Sequence, residues 1–323
     1  MNNRRKLVIA LGAVALTAPL AAAQQTYPNK PIRFIVHFPP GGGADIAARV
    51  IAQKLTESWG QQVIVDNRPG GNTIIGSEAL VRSPPDGYTL MVTSSAHVIN
   101  PLLLPSLPYD SVKDFAPVAT VSYSELVLVL NVSVPANNLQ ELIALAKSKP
   151  GQLNYASSGS GSTTHLAAEF FNILAGVKTQ HIPYKGAGLV MAELLTGQVQ
   201  LYFNLPTSVV PYVKSAKLKA IAITGESRFS ALPQVPTFTE AGLPGLDVKI
   251  WFGALAPAGT PQEIIAKVST EIAKILATPE FKEKLDSQGM EPFISSPDQF
   301  AKLIRAEMAK WGKVIKAAGI KPD

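Results

Sequence analysis

Cysteine is absent from all 323 residues. That excludes disulfides, thiolate metal sites, a cysteine nucleophile and a lipid-modified N-terminal cysteine. Histidine is nearly as scarce: His37, His97, His165 and His181 lie far apart, with no close-spaced pair to build a zinc site, so neither metal nor cofactor is expected. No Gly-x-Ser-x-Gly elbow occurs, and no glycine loop runs into Lys-Ser or Lys-Thr. The first absence leaves a hydrolase without its motif, and the second removes a phosphate-transfer loop. Ser160 with His165 or His181 and an acid would be the remaining triad, and it lacks motif context. Charge is also thin, at 16% of residues, and the lysines and arginines are dispersed, with no basic run and no interleaved aromatics. A nucleic-acid partner is therefore not expected.

The N-terminus has the plan of an export leader. Arg4, Arg5 and Lys6 precede an apolar run from Leu7 to Leu20 that ends in Ala21-Ala22-Ala23. This is a basic region, a hydrophobic region and a small-residue cleavage site, with cleavage expected after Ala23. The run is shorter than the roughly 20 residues a spanning helix needs. Removing 1–23 leaves 26 basic against 23 acidic residues, a net charge of +3. The mature chain is expected to be periplasmic.

What the chain does have is glycine in a specific setting. Phe34 to Phe38 reads as a buried strand, Pro39 to Gly43 as a glycine-rich turn, and the residues from Ala44 as a helix. Ala47, Val50, Ile51 and Leu55 form its apolar face. Glycines at such a turn leave bare N–H groups at the positive end of a helix, which binds anions without any cationic side chain. The design recurs. Gln152–Ala156 is a strand, Ser157–Ser162 (SSGSGS) a small-residue turn, and Thr163–Leu174 a helix. Two such sites suggest two lobes presenting helix N-termini to one anionic ligand.

Between and after these units, strands alternate with helices, which predicts α/β lobes with mainly parallel sheets. Ligands in such sheets sit at the carboxyl ends of strands. In the first lobe those ends carry the Pro39–Asp45 turn, the Asn72 turn and Ser94 to His97. In the second, Asn204 follows the strand Val199–Phe203, and Ala187 opens a helix. Val118–Val129 and Asp247–Leu255 are extended and apolar, and read as two crossings between lobes. They make lobe one discontinuous (24–124 and 251–323) around lobe two (125–250), with the crossings as a hinge. Asn138 with Glu141, Thr260-Pro261 with Glu263, and Ser296-Pro297 with Gln299 read as capping boxes that start helices.

Motifs in order along the chain carry a resemblance. They include Phe38-Pro39-Pro40-Gly41-Gly42 with Asp45 and Arg49, Asn67-Arg68-Pro69-Gly70, Asp86-Gly87-Tyr88 and Pro108-Tyr109-Asp110. Farther on come Tyr155-Ala156-Ser157 with Gly159-Ser160-Gly161-Ser162, Pro183-Tyr184-Lys185-Gly186, and Ala256-Pro257-Ala258-Gly259-Thr260-Pro261. The chain resembles the Bug-type solute receptors of tripartite tricarboxylate transporters. The resemblance implies an α/β two-lobed periplasmic-binding-protein type II fold, monomeric and not an enzyme, that closes on a small carboxylate and passes it to membrane permease subunits. A receptor that serves a signalling partner shares the same signature.

The resemblance also implies that the loops at Pro39–Asp45 and Ser157–Thr163 grip a carboxylate through amides, hydroxyls and water. The cradle expected is Gly42, Gly43, Ala44, Ser158, Ser162 and Thr163, with Ser160 also among the expected substrate-binding residues. Ser94, His97, Ala187 and Asn204 are expected to face the rest of the ligand. Asn204 stands where relatives often carry Asp, which disfavours an amino-acid ligand. Phe38, with Tyr202, Phe203 and Trp251, would line a pocket for an aromatic acid, or else be core. Asp45 either caps its helix or orders a bridging water. His165 is either a neutral donor to ligand or a capping contact. His37 is expected to be a hydrogen-bonded core histidine. Dicarboxylates, citrate-like tricarboxylates and aromatic dicarboxylates such as terephthalate all fit.

Overall fold

The computed structural model describes residues 27–41, 43–70, 73–104, 106–184, 187–286 and 289–320. The leader, Gly42, Lys185 and Gly186 lie outside the described residues. In chain order the elements are β1 (Ile32–Val36), α1 (Gly43–Trp59), β2 (Val63–Asn67), α2 (Ile74–Val81), β3 (Thr89–Ser94), α3 (Ala96–Leu103), β4 (Phe115–Glu125) and β5 (Val127–Asn131). Then follow α4 (Leu139–Ser148), β6 (Asn154–Ser157), α5 (Thr163–Ala175), β7 (Gln180–Pro183), α6 (Ala187–Thr196), β8 (Leu201–Asn204), α7 (Pro206–Lys214) and β9 (Leu218–Ile223). The chain closes with β10 (Lys249–Pro257), α8 (Gln262–Leu276), α9 (Pro279–Asp286), β11 (Glu291–Pro292) and α10 (Pro297–Ala318).

The strands form two sheets, ordered β11-β4-β10-β3-β1-β2 and β7-β6-β8-β5-β9. In the first, β1 runs parallel to β2 and β3, and β10 is antiparallel between β3 and β4. In the second, β6 is parallel to β7 and β8, while β5 is antiparallel to β8 and β9. The fold is thus a mixed α/β arrangement on two sheets. β1 (IRFIV) is nearly all buried, as a parallel strand covered on both faces must be. The face of α1 read from the sequence, Ala47, Val50, Ile51 and Leu55, is buried in the core beneath it.

Only Leu126 separates β4 in one sheet from β5 in the other. The return passes through Thr224 to Val248. The Thr224 hydroxyl ties the two passages together: it accepts from the Leu126 N–H at 2.9 Å and donates to the Val248 carbonyl at 2.6 Å. α10 packs on both α3 and α5, so it also touches both halves. Its Trp311 is fully buried and donates to Glu307 at 2.9 Å.

Several local expectations shift. β1 ends at Val36 because its ladders to β2 and β3 end there, so His37 and Phe38 lie past the strand. Ser296 and Gln299 do form a capping box. Thr260 does not: its hydroxyl turns back to the Pro257 carbonyl at 2.8 Å, and Pro261 takes the N-cap position without a side-chain cap. His97, read as part of a strand end, lies inside α3, a helix the sequence reading did not include.

Thr224→Val keeps the shape but leaves a buried N–H and a buried carbonyl without their partner. Each such loss costs about 1–3 kcal/mol. Urea unfolding of this variant should show a stability loss of at least about 2 kcal/mol; an unchanged midpoint would refute the tie.

Candidate functional site

The carboxyl ends of β1 and β3 and the turn after β6 face one another across a cleft of about 400 Å³. On the six-stranded side it is lined by His37, Phe38, Pro39, Thr73, Ala96 and Asn100, among others. On the five-stranded side it is lined by Ser158 to Thr163. No described lining residue is Asp, Glu, Lys or Arg. Thr73, Ala96 and Thr163 stand at the starts of α2, α3 and α5. Three helix N-termini, each with a partial positive charge, therefore meet at one cleft.

The turn after β6 is built by its own small residues. The Ser158 N–H donates to Thr164 Oγ1 at 3.0 Å, and the Gly161 N–H to His165 Nδ1 at 2.9 Å. The Ser162 side chain caps α5 by accepting from the His165 N–H. Gly161 has φ +74, and a Cβ there would stand 2.3 Å from Leu103 Cδ1 of the opposite half. Only glycine meets both demands. With these bonds made, the N–H groups of Ser160 and Thr163 have no hydrogen bond among the described residues. Both residues line the cleft. The Thr163 hydroxyl meets Ser95 Oγ at 3.2 Å, joining the start of α5 to the residue before α3.

The opposing loop is pinned from behind. Asp45 accepts from the Gly41 N–H at 2.9 Å, from Arg49 Nε at 3.0 Å and from Asn67 Nδ2 at 2.9 Å. Asn67 Nδ2 also donates to the Phe38 carbonyl at 3.1 Å. Burial would raise the Asp45 pKa, but the bonds from Arg49, Gly41 and Asn67 outweigh it and hold the carboxyl below its usual range. Asp45 is thus a brace for the loop and stands outside the cleft lining.

The other residues singled out in the sequence divide plainly. Phe38, Ser158, Ser160, Ser162 and Thr163 line the cleft. Gly43 and Ala44 stand behind the wall: a Cβ on Gly43 would meet the Phe252 ring at 2.5 Å, and Ala44 is core. Ser94 is buried and bonds the Ala96 N–H. His97 is buried and its Nε2 bonds the Ser111 carbonyl at 2.8 Å. Asn204 is buried, with its Oδ1 on the Leu205 N–H at 2.8 Å. None of these three is in the lining. Ala187 opens α6. His165 shapes the turn through Nδ1 and stacks on His181 at 3.8 Å. Tyr202, Phe203 and Trp251 are core. Sequence reasoning missed Thr73 and Asn100 as cleft residues, and placed Ser95 within the Ser94 to His97 strand end without singling it out as a latch. The glycine turn before Thr73 was its signal; Asn100 was hidden in the unread helix.

Burial holds three histidines neutral. His37 is pushed down to about 3 by burial and then by His97, His97 to about 4 by burial, and His165 to about 3 by burial and then by His181. An unfolded histidine takes up its proton near pH 6.5. Below that value the unfolded chain binds protons the folded chain does not, so stability falls as pH drops from 6.5 toward the folded values. Between pH 7.5 and 5.5 each histidine should withdraw about 1.4 kcal/mol. Urea titrations across this range test it, and His97→Gln should remove one histidine's share of the loss.

Comparison with known proteins places this architecture. The model of the tripartite tricarboxylate transporter family receptor matches residues 47–320. The protein BugT of Bordetella pertussis is 38% identical over 323 residues, covering 99% of both chains. An R. palustris protein solved with adipate is 34% identical with a TM-score of 0.82, covering 92% of this chain and all of that one. MatC of Rhodopseudomonas palustris, solved with malate, is 30% identical with a TM-score of 0.76, covering 90% of this chain and all of that one. The chain belongs to the tripartite tricarboxylate transporter receptor family and is a solute-binding receptor, not an enzyme.

Proposed function

We propose that this receptor captures a small carboxylate between its two halves in the periplasm and delivers it to the membrane subunits of a tripartite tricarboxylate transporter. The observation that carries this is the pair of unpaired amides, Ser160 and Thr163, at the start of α5 in a cleft without charged side chains among the described residues. Amides at a helix N-terminus replace the water around an anion, and exclusion of solvent strengthens the bonds. Relatives solved with adipate and with malate support the carboxylate class.

In this reading, residues 1–23 are the leader, 24–124 with 251–323 form one lobe and 125–250 the other. The lobes turn about Leu126 and the Thr224–Val248 passage, where Thr224 holds the crossings together. Ser95 with Thr163, and Leu103 with Gly161, are the contacts made on closure. Gly42, Gly43 and Ala44 would supply amides from the opposite loop, and Ala187 and Asn204 would approach the ligand in a different lobe setting. The ligand class within the carboxylates extends to dicarboxylates, tricarboxylates and aromatic acids. Among the described residues no helix is long and apolar enough to cross a membrane.

Calorimetry on the refolded mature protein with mono-, di- and tricarboxylates tests the reading. At least one should bind, and Ser162→Ala combined with Thr163→Ala should weaken that binding more than tenfold while the protein stays folded at the temperature of the titration. The double variant removes the α5 cap and the Ser95 latch. Unchanged affinity would contradict the assignment.

A further inference from the structure

We infer that the cleft selects a carboxylate carried on an unsubstituted apolar frame, aliphatic or aromatic, over hydroxy- and amino-carboxylates. This inference rests on the carboxylate reading above and narrows it.

Among the described residues free amides stand at Ser160 and Thr163 on the five-stranded side, and at Phe38 and Gly70 in the loops that flank the facing wall. The facing wall is mostly apolar: Phe38, Pro39, Ile99, Leu103 and Leu104 line it. Its polar side chains are already engaged with one another. His37 places Nδ1 3.2 Å from Ser77 Oγ and Nε2 3.0 Å from Thr93 Oγ1. Asn100 donates to Thr73 Oγ1 at 2.8 Å. His37 is also held neutral by burial, with a pKa pushed down to about 3, so it brings no charge to the wall.

No described lining side chain is an acid that would receive an ammonium group. Asn204 is buried and its oxygen is used by the Leu205 N–H. A hydroxyl or ammonium on a ligand body laid against Ile99, Leu103 and Leu104 would give up its water and meet carbon. The penalty for such an unpaired polar group corresponds to roughly tenfold or more in affinity. A methylene or ring edge loses nothing there and gains contact with Ile99, Leu103 and Leu104. The wall therefore discriminates by desolvation, while the carboxylate supplies affinity through the amides.

Calorimetry with two matched series tests this. One is succinate, malate and aspartate; the other is 3-phenylpropionate, 3-phenyllactate and phenylalanine. In whichever series binds, the unsubstituted acid should bind at least tenfold tighter than its hydroxy and amino partners. Leu104→Asn, which puts a donor and an acceptor on that wall, should narrow the ratio at least threefold. A hydroxy or amino acid that binds as tightly as its unsubstituted partner overturns the inference and leaves the carboxylate reading standing. No binding by either series or by adipate overturns both.

Discussion

Two backbone N–H groups without a partner among the described residues, at Ser160 and Thr163, are the constraint around which the proposed site is arranged. Unpaired amides at a solvent cleft are unremarkable when water reaches them. They become a strong demand for an anion when a second wall closes over them. The surrounding residues keep these donors open by using up their neighbours. Thr164 takes the Ser158 N–H, His165 takes that of Gly161, and Ser162 takes that of His165. Gly161 lets the turn approach Leu103, and the Ser95–Thr163 contact fixes the start of α5 against the other half. The loop opposite needs a different brace, because its glycines offer no side chains. Asp45, Arg49 and Asn67 provide it from behind.

The fold supplies the second requirement, two walls joined by two adjacent chain passages. One residue, Leu126, carries the chain from the first sheet to the second, and a single hydroxyl, Thr224, links it to the returning strand. Strand order places the cleft at the ends of β1, β3 and β6, to one side of those crossings. In the proposed closure, a small rotation at the crossings would become a larger opening at the cleft. The packing of α10 against both α3 and α5 adds a contact that such a motion must slide over or carry along.

Much of this was legible before the coordinates. The glycine and small-residue turns and the apolar periodicity of α1 are local signals, and α1 and α5 both start within a residue of the place read from them. The motifs in order gave the family. What was not legible depended on long-range contact or on proline. α3 is a short helix with Pro101 in its interior, a residue type that breaks the local helical pattern, and Asn100 sits within it. The Thr73–Asn100 and Ser95–Thr163 pairs join residues far apart in sequence, which no local pattern encodes. Gly43 and Asp45 belong to a glycine-turn unit of the same design as the α5 turn. One packs on Phe252 and the other braces the loop, and only the tertiary setting separates those roles from direct lining of the cleft.

Hydrogen–deuterium exchange tests the central claim most directly. The mature protein would be compared with and without a saturating amount of its tightest-binding carboxylate, reading the amides of residues 38–45 and 159–165. If both loops grip one ligand, exchange in the two segments slows together, with the largest effect at Ser160 and Thr163. Slowing in one segment alone, or in neither while calorimetry shows binding, would contradict a carboxylate held between the two helix-start loops.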